Sequence, residues 1–415
     1  MRADEVIAGL RALEPLRPVL DAVTELSGPY EGVFLVGGTV RDLLLGEPSF
    51  DVDVAVEGDA IALAEALAAR LGGRVRAHRR FGTAAVFYGE GGRVDVVTAR
   101  TESYEAPAVL PSVEHAGIHD DLARRDFTIN AMAVSLRAED LGELVDPYGG
   151  RADLDARRIR VLHPRSFVDD PTRIFRAVRY ENRLGFRMDD ETLRLARESV
   201  ETGHVGDLTP ARLRDELVAL FGEGEVGHTI HRIAELGLDE AVHSHLAADE
   251  ETVELLDRLT AFDDEYELGV PAWRLGLAVL ARRLPPDEVH DWLRGLKLRR
   301  RDAELIAAAV TVGPRLAEAL SGRAPDPAEV VALADPYAPD APLYALALAD
   351  LEPLRDYFRR LRGVRLEVTG KDLAELGVAE SPRVGEILAE LRRRKLNGEL
   401  DGRQAELAAA RELIG

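Results

Sequence analysis

The chain has 415 residues, and at roughly 150 residues per domain that length holds about three structural units rather than one core. It contains no cysteine, which excludes disulfide frameworks, thiolate nucleophiles and cysteine-bound zinc, and leaves only oxygen or imidazole for any metal. The formal charge of −22 excludes a uniformly basic surface that coats nucleic acid, although a local basic groove is still possible.

The opening stretch from Met1 to Pro15 has neither the basic region nor the apolar run of a signal peptide. No apolar run approaches the roughly 18 residues that span a bilayer, so a cytoplasmic chain with no membrane partner is expected. Val6, Ile7, Leu10, Leu13 and Leu16 recur at helical spacing ahead of Pro18. A short apolar strand, Val33 to Val36, meets Gly37 and Gly38 and is followed by a helical segment, Val40 to Gly46. An alternating strand then runs from Phe50 to Gly58, and Ala84 to Arg100 reads as a hairpin around Gly89, Gly91 and Gly92. From about Asp153 the period becomes helical and remains so, with breakers at Gly203 to Pro210, Pro285-Pro286, Gly322 to Pro327 and Pro336 to Pro342.

The densest chemical signal is the pair Asp51 and Asp53. One residue apart on an alternating strand, they share a face and stand about 6.6 Å apart along the backbone. Two hard oxygen ligands at that spacing suit Mg²⁺ held against a triphosphate. An isolated Asp-x-Asp is more often a solvated edge strand, but the surroundings argue otherwise. Gly37 and Gly38 can bring backbone N–H groups to a phosphate, Arg41 follows at a helix start, and Asp95 offers a third carboxylate on a neighbouring strand. Three carboxylates so arranged are what in-line nucleotidyl transfer requires.

The stretch from Leu35 to Gly46 followed by Asp51-Val52-Asp53 resembles the catalytic signature of the class II CCA-adding enzymes and bacterial poly(A) polymerases, within the polymerase β nucleotidyltransferase superfamily. Four further segments agree in order and spacing: Arg124 to Val134, Asp146 to Leu162, Asp169 to Phe186 and Leu208 to Phe221. The resemblance implies an α+β fold, with a small mixed or antiparallel-sheet head followed by an all-α neck, body and tail. The expected boundaries are 1–150 for the head, 151–235 for the base-recognising neck, 236–350 for the body and 351–415 for the tail. Gly149-Gly150 would be the hinge between head and neck.

The same resemblance implies a template-independent enzyme that adds C and A to the 3′ end of tRNA, taking CTP and ATP with Mg²⁺ and releasing pyrophosphate. An A-adding-only enzyme or a poly(A) polymerase shares the catalytic motifs and is the alternative. Asp51, Asp53 and Asp95 would be catalytic, the first two as metal ligands. Gly37, Gly38, Arg41, Arg124, Arg125, Asp126 and Asn130 would line the nucleotide site, the arginines facing phosphate and Asp126 or Asn130 the ribose. Asp126 also reads as a helix cap.

Asp170 and Arg173, at i and i+3 on a predicted helix, can meet one flat ligand from the same side. A carboxylate accepting from an exocyclic amine beside a donating guanidinium matches cytosine and adenine alike. Arg176 and Arg179 complete the expected nucleotide set. Asp169 stands where the family carries Glu, one methylene longer, in the position thought to orient the arginine. Thr98 to His115 occupies the place of the family's flexible loop.

The segment from Glu367 to Leu400 resembles the tail that grips the tRNA acceptor arm. Two cationic runs, Arg294 with Lys297, Arg299, Arg300 and Arg301, and Arg392 to Lys395, read equally as phosphate contacts or as solvated helix faces. His290-Asp291 only superficially fits a phosphohydrolase metal motif, because the partner residues such a site needs are missing from the pattern. The sequence leaves the oligomeric state open.

Overall fold

The structure is a computed structural model that describes residues 9, 17–47, 52–103, 112–223 and 226–414. Apart from Gly9, the expected helix through Val6 to Leu16 lies outside these residues, as does Asp51. The chain divides into two compact units, Met1–Thr209 and Pro210–Gly415.

The first unit is built on a seven-stranded sheet of order β3-β4-β5-β2-β1-β8-β9. The strands are β1 (Gly32–Val36), β2 (Val52–Glu57), β3 (Arg74–His78), β4 (Thr83–Tyr88), β5 (Gly92–Thr98), β8 (Ala133–Ser135) and β9 (Leu144–Val145). All neighbours run antiparallel except β2 and β5, so the sheet is mixed, as expected. The expected hairpin is the β4–β5 pair.

Alternation gives the sheet two apolar faces. On one, Val54, Val56, Val86, Val94 and Val96 are fully buried, together with Leu63 and Leu67 of helix α3 (Ala60–Leu71). Helix α1 (Arg17–Leu26) packs against α3 on the same side. On the other face Phe34, Val36 and Ala55 form a cluster with Ile118 and Leu122 of helix α4 (Ile118–Ala123). Between β1 and β2 lies helix α2 (Gly38–Leu45), closed by Gly46 in the left-handed conformation.

Strands β6 (Arg100–Ser103) and β7 (Ser112–His115) pair as an antiparallel ribbon at the two ends of the expected loop, whose middle, 104–111, is outside the described residues. The first unit continues through α5 (Gly150–Asp155), β10 (Arg158–Ile159), α6 (Ser166–Asp169), α7 (Thr172–Leu184), β11 (Arg187–Met188) and α8 (Asp190–Glu201). Gly149 and Gly150, expected as a hinge, form a tightly packed turn. Gly149 has φ 73°, and a Cβ on Gly150 would sit 2.2 Å from the Thr128 carbonyl oxygen. Asp146 accepts from the N–H groups of both Gly150 and Arg151, at 2.7 and 2.9 Å.

The second unit is helical: α9 (Pro210–Gly222), α10 (Val226–Leu236), α11 (Leu238–Val242), α12 (Glu250–Glu265), α13 (Ala272–Leu280), α14 (Pro286–Gly295), α15 (Arg300–Leu320), α16 (Pro327–Ala334), α17 (Asp340–Ala349), α18 (Glu352–Arg359), α19 (Gly370–Glu375), α20 (Pro382–Leu396) and α21 (Gly402–Ile414). Its main core joins Leu277, Val279, Ile306, Leu343 and Leu346, all fully buried. A separate cluster of Val368, Leu373, Ile387, Leu391 and Ala410 closes the C-terminal helices. Among the described residues no helix is long and apolar enough to cross a membrane.

Candidate active site

The carboxylates sit where β2 and β5 run side by side. Asp53 pairs with Asp95 in parallel register, so both side chains leave the same face of the sheet, one strand spacing (about 4.8 Å) apart at the backbone. Their neighbours Val52, Val54, Val94 and Val96 are at most 2% exposed on the opposite face, so burial of the valines aims both carboxylates outward. Asp95 also takes a bridge from Arg93 two residues earlier, with Nη2 2.9 Å from its Oδ2. Asp53 and Asp95 are thus two half-buried hard-oxygen donors that could share one cation.

Next to them β1 ends in Gly37, with φ 72° and ψ −139°, as the N-cap of α2. A Cβ at Gly37 would lie 2.8 Å from Nη1 of Arg125 and 3.8 Å from Oδ2 of Asp53. Only glycine satisfies both that backbone conformation and the approach of the guanidinium. Gly38 follows in the first turn, over the Arg41 guanidinium.

Arg124 and Arg125 are held by Asp121, which is completely buried on α4. Arg124 Nη2 lies 2.6 Å from Asp121 Oδ1, and Arg125 Nη2 lies 2.9 Å from Oδ2. A further bond of 2.9 Å ties Arg124 to Glu102 on β6. Burial alone would push the Asp121 carboxyl up, but the Arg125 and Arg124 charges and hydrogen bonds outweigh it and hold it below the usual carboxylate range. The helix that carries Asp121 is itself anchored by β2: Glu57, on the same face as Asp53, accepts from the Ile118 N–H at 2.6 Å.

Behind this wall runs a buried polar chain. Arg41 is 2% exposed; its Nη1 donates to Asn130 Oδ1 at 2.8 Å, and it pairs with Asp42. Asn130 Nδ2 donates in turn to Asp126 Oδ1 at 3.0 Å, an oxygen that also accepts the Phe127 N–H at 2.8 Å. The other Asp126 oxygen takes both Nε and Nη2 of Arg176, at 2.8 and 2.5 Å. Burial works against the Asp126 charge, yet Arg176, Asn130 and Arg173 together pull its pKa down to about 2. Tyr180, on α7 with Arg176, presents its ring to the guanidinium groups of Arg41, Arg176 and Arg179 at 5.2, 5.7 and 5.7 Å.

The segment expected to select the base is not the single helix foreseen. Pro171 cannot donate an N–H and drives the preceding residue out of the helical region, so α6 stops at Asp169 and α7 starts at Thr172. Asp170 is left extended at the joint (φ −141°, ψ 93°), and its Oδ1 accepts from the Thr172 N–H and Oγ1 at 3.1 and 2.6 Å. Arg173, 5% exposed, donates to Ser166 Oγ at 2.7 Å and to the Arg124 carbonyl at 2.8 Å. Asp169 accepts from Arg165 at 3.1 Å.

The structure therefore gathers Gly37, Gly38, Arg41, Arg124, Arg125, Asp126, Asn130, Asp170, Arg173, Arg176 and Arg179 in the unit that carries Asp53 and Asp95. Sequence reasoning missed Asp121, Glu102, Ser166 and Tyr180. Asp121 was discoverable, since it lies three and four residues before Arg124 and Arg125. Tyr180 was discoverable in the same way from Arg176 four residues earlier on the helix, whereas its contact with Arg41, and the contact of Glu102 with Arg124, are made only by the tertiary fold.

In the second unit several members of the cationic runs meet carboxylates. Arg392 bridges Asp335, Arg393 and Arg394 share Glu390, Lys395 meets Glu406, and Arg294 and Arg300 meet Asp291 and Glu304.

Residues 33–160 match the family described as the Poly A polymerase head domain. An A-adding tRNA nucleotidyltransferase of Geobacter sulfurreducens is 39% identical over 91% of this chain, which spans 44% of that protein's length. The A-adding enzyme of Halalkalibacterium halodurans is 34% identical, with 92% of this chain and 88% of that protein covered. A CC-adding enzyme of Deinococcus radiodurans is 31% identical, with 96% and 94% covered. Among solved structures, a CCA-adding enzyme in an apo form superposes with a TM-score of 0.83 at 32% identity, covering 98% of each chain. The Thermotoga maritima CCA-adding enzyme complexed with tRNA gives 0.77 at 31% identity, covering 97% of this chain and 95% of that one. CCA-adding enzyme complexes with CTP and with ATP give 0.82 and 0.81, each at 31% identity and each covering 100% of this chain, with 99% and 96% of those chains covered. Sequence similarity across nearly the whole length and a common fold lead to one conclusion: the chain belongs to the tRNA nucleotidyltransferase family of enzymes.

Proposed function

We propose that this chain is a cytoplasmic, template-independent tRNA nucleotidyltransferase that extends the tRNA 3′ end with C and A from CTP and ATP. The observation that carries the reading is the Asp53–Asp95 pair set in register beside Gly37 and the Asp121-anchored arginines. In the reaction the terminal ribose oxygen forms a bond to the α-phosphorus, the bridging bond to the β-phosphate breaks, pyrophosphate leaves, and the hydroxyl proton passes to solvent near Asp95.

Two carboxylates on neighbouring strands fit Mg²⁺, which takes oxygen ligands and keeps several waters. Held by Asp53 and by Asp51, which lies outside the described residues, with Asp95 beside them, the ion would supply charge for the attacking hydroxyl and the departing pyrophosphate. The protein's own groups do the rest. Gly37 and Gly38 bring backbone N–H donors to the phosphates, and Arg124 and Arg125 face them as a preorganised cationic wall. Arg41, Asn130, Asp126, Arg176 and Arg179 with Tyr180 hold the floor of the nucleotide site. Arg173, fixed at two atoms, donates to the base, and Asp170 accepts from its amine. We keep the division into head, neck, body and tail at 1–150, 151–235, 236–350 and 351–415 as part of this reading.

Addition of the terminal A alone is the second reading. It is favoured by the two A-adding relatives and by Asp169, which leans on Arg165 while Ser166 and the Arg124 carbonyl clamp Arg173, so the reading edge has one fixed pose. Labelled CTP and ATP offered to tRNAs ending at the discriminator base, at C and at CC separate the two. CCA on all three supports the first reading, and A on the CC acceptor alone supports the second. Asp53→Asn should abolish both without altering the circular dichroism; near-wild-type incorporation by that variant would sink the metal assignment.

A further inference from the structure

The second unit holds a cluster that nucleotidyl transfer does not use. His243 and His245 lie between α11 and α12, and Glu288 stands in the first turn of α14. His245 Nδ1 is 2.6 Å and His243 Nε2 is 3.8 Å from the same oxygen, Glu288 Oε2. One ligand atom from each residue lies within 4.8 Å of the other two, and among the described residues no other group of three or more such side chains meets that condition. We infer that these three residues form a binding site for a divalent transition ion of the zinc class.

The donor set points to that class. Two imidazole nitrogens and one carboxylate oxygen are the ligands of open three-residue zinc sites, with the fourth position left to water. Imidazole suits zinc, nickel and copper, whereas magnesium demands oxygen. Around a tetrahedral ion with bonds of about 2.0–2.1 Å, ligand atoms stand roughly 3.3 Å apart. The contacts of 2.6 and 3.8 Å to Glu288 bracket that value, and the three ligand atoms all lie within 4.8 Å of one another.

The backbone is already set. The His243 N–H donates to the Asp239 carbonyl at 2.9 Å, the Leu246 N–H to the His243 carbonyl at 2.9 Å, and the Ala247 N–H to the Leu280 carbonyl at 3.0 Å. Glu288 rides on a helix whose start is fixed by Pro285 and Pro286. In a chain where many carboxylates meet arginine, its ion-pair partners among the described residues are the two histidines. The side chains are 29%, 49% and 38% exposed for His243, His245 and Glu288, which gives an ion access from solvent. His243 Nδ1 accepts the His245 N–H at 3.2 Å, so ligation through Nε2 moves the ring proton to Nδ1 and surrenders that contact. In return the ion ties the 243–248 loop to a helix more than forty residues later in the chain.

The test is zinc titration of the full chain, stripped with chelator, in saturating Mg²⁺, with Asp53→Asn run in parallel so that uptake at the transferase carboxylates is recognised. One Zn²⁺ per chain should bind irrespective of Asp53, and the Co²⁺ form should show the visible absorption of a low-coordinate ion. At free zinc 100 times its Kd, the folded-to-unfolded ratio rises about 100-fold. His245→Ala and Glu288→Gln should lose that gain while keeping tRNA extension. In the unaltered protein, Zn²⁺ but not Mg²⁺ should protect His243 and His245 from diethylpyrocarbonate, read by mass spectrometry, which needs no variant to fold. Zinc uptake unchanged in the variants, or absence of protection, overturns the site and leaves the transferase reading untouched.

Discussion

Asp126→Asn isolates the electrostatics of the buried polar chain. The substitution keeps the shape and one acceptor, so the remaining carbonyl oxygen can still receive the Phe127 N–H and the Asn130 amide, but it turns an amide N–H₂ toward the two donors of Arg176. The wild-type carboxyl is drawn from 3.8 to about 2, and at 1.36 kcal/mol per unit this corresponds to about 2 kcal/mol of folding free energy at neutral pH. Removing one partner of a buried pair costs about 3–5 kcal/mol when the other charge is stranded, but the Arg176 side chain is 32% exposed and recovers part of its hydration. The expected loss is therefore about 2–3 kcal/mol. In a unit of 209 residues that lowers the transition by about 5–10 °C. The sign with pH is fixed. A depressed carboxylate contributes fully above its unfolded value near 4, and its contribution disappears as pH falls toward 2. Thermal unfolding of both proteins across pH 7 to 2 is the assay. The gap should be full at neutral pH and close on acidification. A gap that is absent at pH 7, or that does not shrink in acid, would refute the reasoning.

Gly37→Ala should cut nucleotide incorporation at least 100-fold, because the new methyl lies 2.8 Å from Arg125 Nη1 on a backbone with φ 72°. It should also cost about 1–3 kcal/mol in denaturant unfolding; full activity would show that the guanidinium's approach to Gly37 is irrelevant. Arg173→Lys keeps the charge but cannot span Ser166 Oγ and the Arg124 carbonyl together, so selection of ATP and CTP over GTP and UTP should fall more than total turnover, measured by competition among the four. Glu406→Gln should destabilise the C-terminal cluster by about 2 kcal/mol, because a fully buried carboxylate there accepts from the Glu367 and Val368 N–H groups and from Lys395. Hydrogen exchange at Val368 and Leu391 is the readout, and unchanged protection would contradict it. Acidification through the ordinary histidine range should weaken the first unit in part through His163, whose ring burial, Arg173 and Arg165 keep neutral against the opposing pull of Asp169. His163→Gln should flatten that part of the stability profile, and an unaltered profile counts against it.

The amino-acid sequence alone determined the central strands of the sheet and the face that carries the carboxylates. Period-two alternation placed Val52 and Val54 inside and Asp53 outside, the glycines of the Gly89 to Gly92 turn marked the hairpin, and the order of the motifs pointed to the family. The alternation and the hairpin turn were readable because each depends on residues within a few positions of one another. The same local reading went wrong at Asp170. Helical spacing there overlooked what Pro171 does to the residue before it.

Only the tertiary structure decided how the charges are spent. Arg41, Asp126, Asn130 and Arg176 come from three separate segments and satisfy one another in the core. Asp53 meets Asp95 through strand register, and Arg173 is held by a carbonyl forty-nine residues away. His243 and His245 meet one oxygen of Glu288, more than forty residues later in the chain. Hydrogen bonds and ion pairs act over about 3 Å of space whatever the separation along the chain. A sequence shows which groups are present, and packing the apolar faces determines which of them come within that distance.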